Sequence, residues 1–371
     1  MKICEYKNCS GCFACYNICP KKAITMYEDK YGHIYPKIDE AKCVKCNLCK
    51  NTCPANDKQM VFNYPIKCFA SYSKNKDIHK NSSSGGMAYE FAKHIVQNKG
   101  VVYAVSSYFD CEHEIGFIRI DDINELNKIQ GSKYLHAHVK DSYVKIKKDL
   151  NNDVFVLFIG TPCQVSGLKK FLKKEYLNLV TIDIICHGTP SQKMLLEEIN
   201  NPKIDYVNFR GKHGFTLIAK QNEKVLYKKN KYESDYYFSF LKGWTYRDSC
   251  YSCKYAQPSR VSDITIGDFW GNEKHKNKNG LSVILINTSK GNDFLNKIDS
   301  IQLFEEDIEK AIKGNSQLVS PTFKSDNVNK FREYYNKNYN FHQSIKKIIG
   351  KNYLTIKFKG KLKKIKDLVI R

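Results

Sequence analysis

The chain has 371 residues and a formal net charge of +23, from 61 Lys and Arg against 38 Asp and Glu. Its length allows roughly two or three domains, and its charge suits an acidic or phosphorylated partner. No apolar run approaches the ~18 residues of a membrane span, and no reader motif accompanies the charge to indicate nucleic-acid binding. Neither a P-loop nor a G-x-G-x-x-G fingerprint is present.

The N-terminal region contains one cysteine pattern twice. This spacing is typical of bacterial-type ferredoxins with two 4Fe-4S clusters, in which each run gives its fourth cysteine to the other cluster. A disulfide framework and zinc sites are the alternatives. The two runs are Cys9-x2-Cys12-x2-Cys15-x3-Cys19-Pro20 and Cys43-x2-Cys46-x2-Cys49-x3-Cys53-Pro54. We predict one cluster on Cys9, Cys12, Cys15 and Cys53, and a second on Cys19, Cys43, Cys46 and Cys49.

The cysteine count also bears on the compartment. The chain has 15 cysteines, an odd number, and its first residues form no apolar signal-peptide region. Cytosolic thiols are normally kept reduced, which favours metal ligation over disulfides. We therefore expect a cytoplasmic protein.

Beyond a polar linker, strands alternate with helices, and two strands lead into cysteine-containing loops. Strands are predicted at 67–72 and 100–105, on either side of a helix at 87–97. A later run at 154–159 precedes Cys163, and another at 177–185 precedes Cys186 in the same way. The strand, loop, helix order implies a parallel pair. Because parallel strands place their loops at the same sheet edge, we expect both cysteines to face one crevice.

A C-x2-C pair, Cys250 and Cys253, precedes a strand-like segment at 262–271. Together with Cys163 and Cys186 it completes four thiolates, which favours a third 4Fe-4S cluster. A structural zinc or a redox-active dithiol are the alternatives. Three further cysteines have no partners at ligand spacing and are interpreted as ordinary thiols: Cys4, Cys68 and Cys111.

Small residues stand directly before the helix at 87–97, namely Ser83, Ser84, Gly85 and Gly86. Backbone N–H groups at a helix N-terminus can receive a phosphate. The simpler interpretation is a serine that caps the helix and glycines that turn the chain.

Two loops add candidate cofactor contacts. The first offers a glycine for close approach, a cation and an aromatic ring. The second offers two cations, although exposed basic loops are usually just solvated. The candidates are Gly131, Ser132, Lys133 and Tyr134 in the first loop, and Arg210 and Lys212 in the second.

The C-terminal segment is strongly basic. Residues 345–371 contain ten Lys and Arg and a single acidic residue, Asp367. Leu362, Ile365 and Leu368 recur at helical spacing, which predicts a short basic amphipathic helix. Such a helix could rest on an anionic membrane or dock on a partner, and a packed or solvated terminal helix is the simpler alternative.

Several motifs occur together in one order: Ser83-Ser84-Gly85-Gly86, Gly131-Ser132-Lys133-Tyr134, Gly160-Thr161-Pro162-Cys163-Gln164, Cys186-His187-Gly188-Thr189-Pro190-Ser191, Cys250-x2-Cys253 and Ser262-Asp263-Ile264-Thr265-Ile266-Gly267-Asp268-Phe269-Trp270. The set resembles the coenzyme F-420 hydrogenase/dehydrogenase beta-subunit family, with a ferredoxin module fused in front. The resemblance covers roughly residues 1–310, and several collinear motifs are far more specific than any single one.

The resemblance implies a flavoprotein in which FAD lies near an iron-sulfur cluster and exchanges a hydride with coenzyme F-420 or another small organic substrate. It also implies roles for residues, with Arg210 and Lys212 as weaker helpers. The implied set is Ser83, Ser84, Gly85 and Gly86 for the FAD phosphate, the loop of Lys133 for the flavin, and Cys163, Cys186, Cys250 and Cys253 for the third cluster.

Related members differ in substrate: some serve hydrogenase or formate dehydrogenase subunits, and others reduce a pigment or act in surface-polysaccharide pathways. The resemblance therefore implies an oxidoreductase whose partners are a small-molecule hydride donor or acceptor and a redox protein. The alternative is a non-catalytic electron-transfer subunit of a larger complex. No acid-base pair can be assigned, since His187 either delivers a proton or orients its loop.

The predicted fold class is α+β, with an N-terminal dicluster ferredoxin-like module followed by an α/β flavin- and cluster-binding domain with a mixed sheet. The predicted divisions are a ferredoxin domain at 1–57, an FAD-binding part at 65–145, a third-cluster part at 150–315 and a basic helical tail at 316–371.

Overall fold

A computed structural model of the chain describes residues 1–211 and 214–369. The strands are β1 (Ile24–Glu28), β2 (Ile34–Ile38), β3 (Lys67–Ser73), β4 (Val101–Val105), β5 (Phe117–Ile120), β6 (Val156–Gly160), β7 (Leu179–Ile184), β8 (Tyr206–Gly211), β9 (Gly214–Gln221), β10 (Lys224–Asn230), β11 (Ile264–Asp268), β12 (Ser282–Ile286) and β13 (Ile301–Glu306). The helices are α1 (Ala14–Ile18), α2 (Leu48–Thr52), α3 (Lys76–Asn81), α4 (Met87–Gln97), α5 (Ser142–Asn151), α6 (Pro162–Leu172), α7 (Gln192–Ile199), α8 (Asp235–Leu241), α9 (Ser289–Leu295), α10 (Ile308–Gly314), α11 (Asp326–Asn336), α12 (Phe341–Ile349) and α13 (Tyr353–Val369).

A mixed eight-stranded sheet forms the centre of the molecule. Its strand order is β13-β3-β12-β11-β7-β6-β4-β5. Strands β4, β6, β7 and β11 run parallel, whereas β5, β12 and β13 run antiparallel to their neighbours. Every residue of β6 is buried, as expected for a central strand that helices cover on both faces. The predicted α+β class with a mixed sheet is confirmed.

Most of the predicted elements of this sheet are present with small shifts at their ends. The helix predicted at 87–97 coincides with α4, whose Phe91, Ala92 and Ile95 are buried against the sheet. The antiparallel sheet β10-β9-β8 is not predicted by the sequence pattern. Strands β4 and β6 are paired neighbours, so one sheet spans the predicted division near residue 150.

The ferredoxin module packs directly on the main domain. Its hairpin pairs β1 with β2, and α1 lies against α5 and α6. Phe13 and Ala14 are buried in the same hydrophobic cluster as Tyr143 and Val165 of the main domain. A continuous hydrophobic core therefore fixes the module relative to the large sheet.

One buried carboxylate ties the C-terminal helices to α8. Asp235 accepts hydrogen bonds from Tyr353 (2.8 Å) and Lys357 (2.5 Å), and one of its oxygens lies 2.7 Å from Nδ1 of His342. The hydrogen bond to Asp235 raises the pKa of His342. On α13, an apolar stripe stays exposed: Leu354, Phe358 and Leu362. None of the described helices combines the length and the apolar character that crossing a bilayer requires.

Candidate functional site

The cysteines of the ferredoxin module line two separate pockets. The fourth cysteine of each run lies in the pocket of the other run, as the motif predicts. We call the pocket that touches the main domain the inner site and the other the distal site. The inner site is lined by Cys9, Cys12, Cys15 and Cys53, and the distal site by Cys19, Cys43, Cys46 and Cys49.

The loops around both sites are wound so that backbone N–H groups face sulfur. Phe13 and Asn47 occupy equivalent left-handed positions, with φ of 63° and 60°, at the starts of α1 and α2. Backbone hydrogen bonds reach the sulfur atoms of the inner site, for example from Ala14 to Cys12 and from Ala55 to Cys53. N–H donors aimed at thiolates stabilise their negative charge, which fits iron-sulfur ligation.

Cys4 is not the ordinary thiol that its spacing indicated. It lines the inner site, and hydrogen bonds to Cys53 and Cys9 raise its pKa. The bond from Cys4 in turn lowers the pKa of Cys9. The Cys4 thiol therefore lies beside two of the predicted cluster ligands. The spacing rule missed it because Cys4 reaches the site through the fold and not through the motif.

The other four predicted ligands converge at the carboxyl ends of the central strands. Cys163 follows β6 and Cys186 follows β7, so the two parallel strands do bring them to one edge. Burial and then the nearby Cys250, Cys163 and Cys253 raise the pKa of Cys186, and all four residues line one cavity. We call this group the third site.

The spread of the sulfur atoms bears on the zinc alternative. A tetrahedral zinc with Zn–S bonds near 2.3 Å draws its thiolates to within ~4 Å of one another. Among the residues that the structure describes, no three cysteine sulfurs all lie within 4.8 Å of one another. A third cluster at this site stays a prediction.

The inner and third sites are neighbours across α6. Cys163 lies in the first turn of α6, and Gly167 lies one turn later on the same helix. A Cβ at Gly167 would stand 3.1 Å from the Sγ of Cys12. The glycine therefore allows the inner site to approach the helix that carries Cys163.

A cavity of about 790 Å³ joins the third site to the predicted flavin loops. This volume is within the usual range for a cofactor site. Its lining contains the four cysteines of the third site together with Ser83, Ser84, Gly86, Gly131, Ser132, Lys133, Tyr134 and Arg210.

Helix α4 begins at this cavity without a side-chain cap. Its N-cap is Gly86, at φ of 90°, and no side chain accepts a hydrogen bond from its first N–H groups. The serine-cap part of the simpler interpretation is therefore wrong, whereas Gly86 does turn the chain as that interpretation expects. Met87 and Ala88 in the first turn of α4 line the cavity, where an anionic group would satisfy open N–H groups of the helix.

The serine side chains of this loop form hydrogen bonds that hold the loop in place. The Ser132 N–H donates to Ser83 Oγ (2.7 Å), which joins the two predicted flavin loops, and Ser84 Oγ donates to Leu281 O (2.9 Å). The Gly85 N–H donates to Ser282 Oγ (2.9 Å). Recognition of a phosphate would therefore fall mainly to the main chain.

Lys133 supports its own loop. Its ammonium donates to the carbonyl oxygens of Ile129 (2.6 Å) and Gly131 (3.0 Å). Burial lowers its pKa to about 7, which leaves the side chain partly neutral near neutral pH. A contact between this loop and a flavin stays a prediction.

Arg210 is held at the cavity by two partners, Tyr134 OH (2.9 Å) and Asp268 (2.6 Å). The second cation of this loop, Lys212, lies outside the described residues. His187 also lines the cavity, and burial lowers its pKa, so its imidazole is neutral at physiological pH.

Two buried arginines of the site have no sequence motif. Arg247 contacts the inner site, and Arg260 pairs with Asp183 behind the third site. Their proximity in sequence to the C-x2-C pair, Cys250 and Cys253, is the one signal that could have pointed to them.

Substituting Gly85 with alanine should displace the loop before α4. The new Cβ would lie 2.2 Å from Ser71 O and 2.9 Å from Ser282 Oγ, so we expect a loss of ~1–3 kcal/mol in the free energy of unfolding and weaker flavin retention. Ser84→Ala, which removes only the bond to Leu281, should cost ~1 kcal/mol. Urea titration of both variants measures the difference, and equal midpoints would contradict the close packing at Gly85.

Two regions of the chain match known protein families. Residues 8–56 match the family described as 4Fe-4S dicluster domain, so the chain has a domain for two 4Fe-4S clusters. Residues 155–311 match the family described as the C terminus of the beta subunit of coenzyme F420 hydrogenase/dehydrogenase. A coenzyme F420-dependent sulfite reductase of Methanocaldococcus jannaschii is 24% identical over 313 residues, which are 78% of this chain and 46% of that protein.

Two further proteins are similar over part of the chain or at low identity. An uncharacterised ferredoxin of the same organism is 35% identical over 54 residues, which are 15% of this chain and 69% of the ferredoxin. Among solved structures, a chain of the F420-reducing NiFe hydrogenase complex from Methanosarcina barkeri superposes with a TM-score of 0.47 at 15% identity, over 73% of this chain and 93% of its own. The chain thus spans less than half the length of the sulfite reductase that it matches.

Proposed function

Because the chain belongs to the coenzyme F420 hydrogenase/dehydrogenase beta-subunit family and carries a two-cluster 4Fe-4S domain at its N-terminal end, we propose that it is an FAD-dependent iron-sulfur oxidoreductase. In this proposal the chain passes electrons between its ferredoxin-type clusters and FAD, and exchanges a hydride with coenzyme F420 or another small organic substrate. FAD supplies the conversion between hydride transfer and single-electron transfer.

The observation that supports the proposal most is the shared cavity. The four thiols of the third site and the uncapped N-terminus of α4 open into the same space of about 790 Å³. A cluster and a flavin in that space would be close enough for direct electron transfer.

In this proposal, different residues of the chain bind the cluster, bind the FAD phosphate and place a positive charge. Cys163, Cys186, Cys250 and Cys253 ligate a third cluster. The main chain around Gly86 binds the FAD phosphate, and Ser83 fixes that loop to the loop of Lys133. Arg210, oriented by Asp268, places a positive charge beside the flavin or its substrate.

Turnover by the isolated chain tests the proposal. The chain is reconstituted anaerobically with iron, sulfide and FAD, and is then given reduced methyl viologen as donor and coenzyme F420 as acceptor. We expect loss of viologen colour in step with F420 reduction, and no reaction in the same preparation without FAD. Binding of all cofactors without any turnover, with this or other hydride acceptors, would exclude an autonomous reductase.

A non-catalytic electron-transfer subunit is the second candidate. The exposed stripe of Leu354, Phe358 and Leu362 on α13 favours it, since exposed apolar side chains in a row are typical of a docking surface. Turnover by the isolated chain would rule this candidate out. Peripheral contact of the same basic helix with a membrane stays a prediction.

A further inference from the structure

Arg247 is a buried cation that has no acidic partner. Its side chain is 1% exposed, and no carboxylate forms an ion pair with it in the part of the chain that the structure describes. Its Nε donates to Cys9 O (2.7 Å), and Nη2 donates to Ile34 O. A guanidinium is always charged in proteins, and a buried charge is costly unless an opposite charge offsets it. Negative charge close to Arg247 is therefore needed.

The thiolates of two sites can supply that negative charge. Nη2 of Arg247 lies 3.9 Å from the Sγ of Cys9 in the inner site. On the other side, Arg247 is three residues before Cys250 of the third site, and the Cys250 N–H donates to Arg247 O (3.0 Å). The ring of Tyr35 packs against the guanidinium, 4.3 Å from centroid to Cζ. Arg247 is thus fixed between the inner and third sites.

The other titratable groups near Arg247 do not take over the role of its positive charge. Burial, and then the charge of Arg247, lowers the pKa of both His33 and His136, so both imidazoles stay neutral. Lys254 is a further cation near the inner site, but it is only half-buried and donates to Pro54 O (2.6 Å). One donor of Arg247, Nη1, has no partner among the described residues, which leaves it free to face an anionic group.

We propose that Arg247 is a positioning residue whose fixed positive charge raises the reduction potential of the inner cluster and so favours electron transfer from the distal site to the inner site. This inference rests on the proposed function, because it requires clusters at the inner and third sites.

The step that Arg247 assists is a single-electron transfer. With clusters bound, one electron would pass from the distal site to the inner site, oxidising the first cluster and reducing the second, with no bond made or broken and no proton moved. Reduction adds one negative charge to a buried group, and burial alone opposes that. The positive charge of Arg247 offsets this cost of adding negative charge, since net charge and the groups around the sulfurs set the reduction potential of a cluster.

Two substitutions distinguish the effect of the charge of Arg247 from the effect of its hydrogen bonds and shape. Arg247→Gln removes the charge but keeps an N–H donor for Cys9 O, whereas Arg247→Lys keeps the charge. Arg332→Met is the matched control, because Arg332 is already neutralised by Asp248 at 2.7 Å. Each anaerobically reconstituted chain is assayed for iron and then titrated by EPR-monitored reduction. We expect a shift of the inner-cluster potential to a more negative value in Arg247→Gln, and wild-type potentials in the other two variants.

The measured iron content still distinguishes the outcomes if one variant loses its inner cluster. Loss of about four irons in Arg247→Gln, with full loading and wild-type potentials in Arg247→Lys, would also support the proposal. Full loading and unchanged potentials in Arg247→Gln would overturn it, and so would equal damage in Arg247→Gln and Arg247→Lys. Failure of the proposed function would look different, since the wild-type chain itself would then lack the third cluster or the flavin.

Discussion

Replacing Cys186 with serine should lower the iron content of the anaerobically reconstituted chain from about twelve to about eight atoms, with an equal loss of sulfide. Cys186 is grouped with Cys163, Cys250 and Cys253 at the large cavity. A serine hydroxyl is a poor ligand for iron where a soft thiolate is required. The ferredoxin sites take their predicted ligands from other cysteines and should stay loaded.

The same variant should retain FAD but lose its fast reduction. Electrons would then have to pass from the inner site to the flavin without the third site, so the flavin should be reduced only as fast as it reacts directly with the donor. Cys111→Ser is the matched control, because Cys111 is an exposed thiol. Twelve irons in Cys186→Ser, or eight in the wild-type chain, would contradict a third cluster.

Substituting Arg260 with methionine should lower the free energy of unfolding by ~3–5 kcal/mol, because it leaves the buried carboxylate of Asp183 without its partner. The pair is among the least exposed in the described chain, at 2% and 0%. Arg260 Nη2 lies 2.8 Å from Asp183 and Nη1 donates to Tyr255 O (2.9 Å). The pair links β7 to the segment that carries Cys253, so the third site should also load less iron.

Urea unfolding of matched variants tests this second prediction. Lys145→Ala removes an exposed pair with Asp141, at 57% and 55% exposure, and should change the free energy of unfolding by at most ~0.5 kcal/mol. The double variant Arg260→Met with Asp183→Leu should recover part of the loss, because an apolar pair leaves no buried charge. A loss in Arg260→Met no larger than in Lys145→Ala would contradict the account.

The local part of the site could be read from the sequence. The cysteine runs predict their pockets because a C-x2-C-x2-C loop is short and wraps one cluster, and the crossing of Cys19 and Cys53 belongs to the same motif. The meeting of Cys163 and Cys186 follows from a rule of topology, since parallel strands end at one edge. Both inferences need only residues near each other in the chain or on neighbouring strands.

The other features of the site could not be predicted, because they depend on contacts between residues far apart in the sequence. Cys4 lies beside Cys9 and Cys53 although its spacing fits no motif. Lys133 carries the cation that the resemblance implies for the flavin, yet its ammonium bonds to carbonyls of its own loop. Arg247 reaches Cys9 and Ile34 from more than two hundred residues away in sequence, and no periodicity reveals such a contact.

We propose that electrons entering the ferredoxin module reach a flavin in the same chain. The most direct test is an anaerobic reductive titration of the reconstituted wild-type chain with a one-electron donor, followed by absorbance. We predict uptake of about five electrons per chain, one for each of three clusters and two for FAD, with full bleaching of the flavin. Uptake of about two electrons without any flavin signal would show a dicluster ferredoxin alone and would contradict the account.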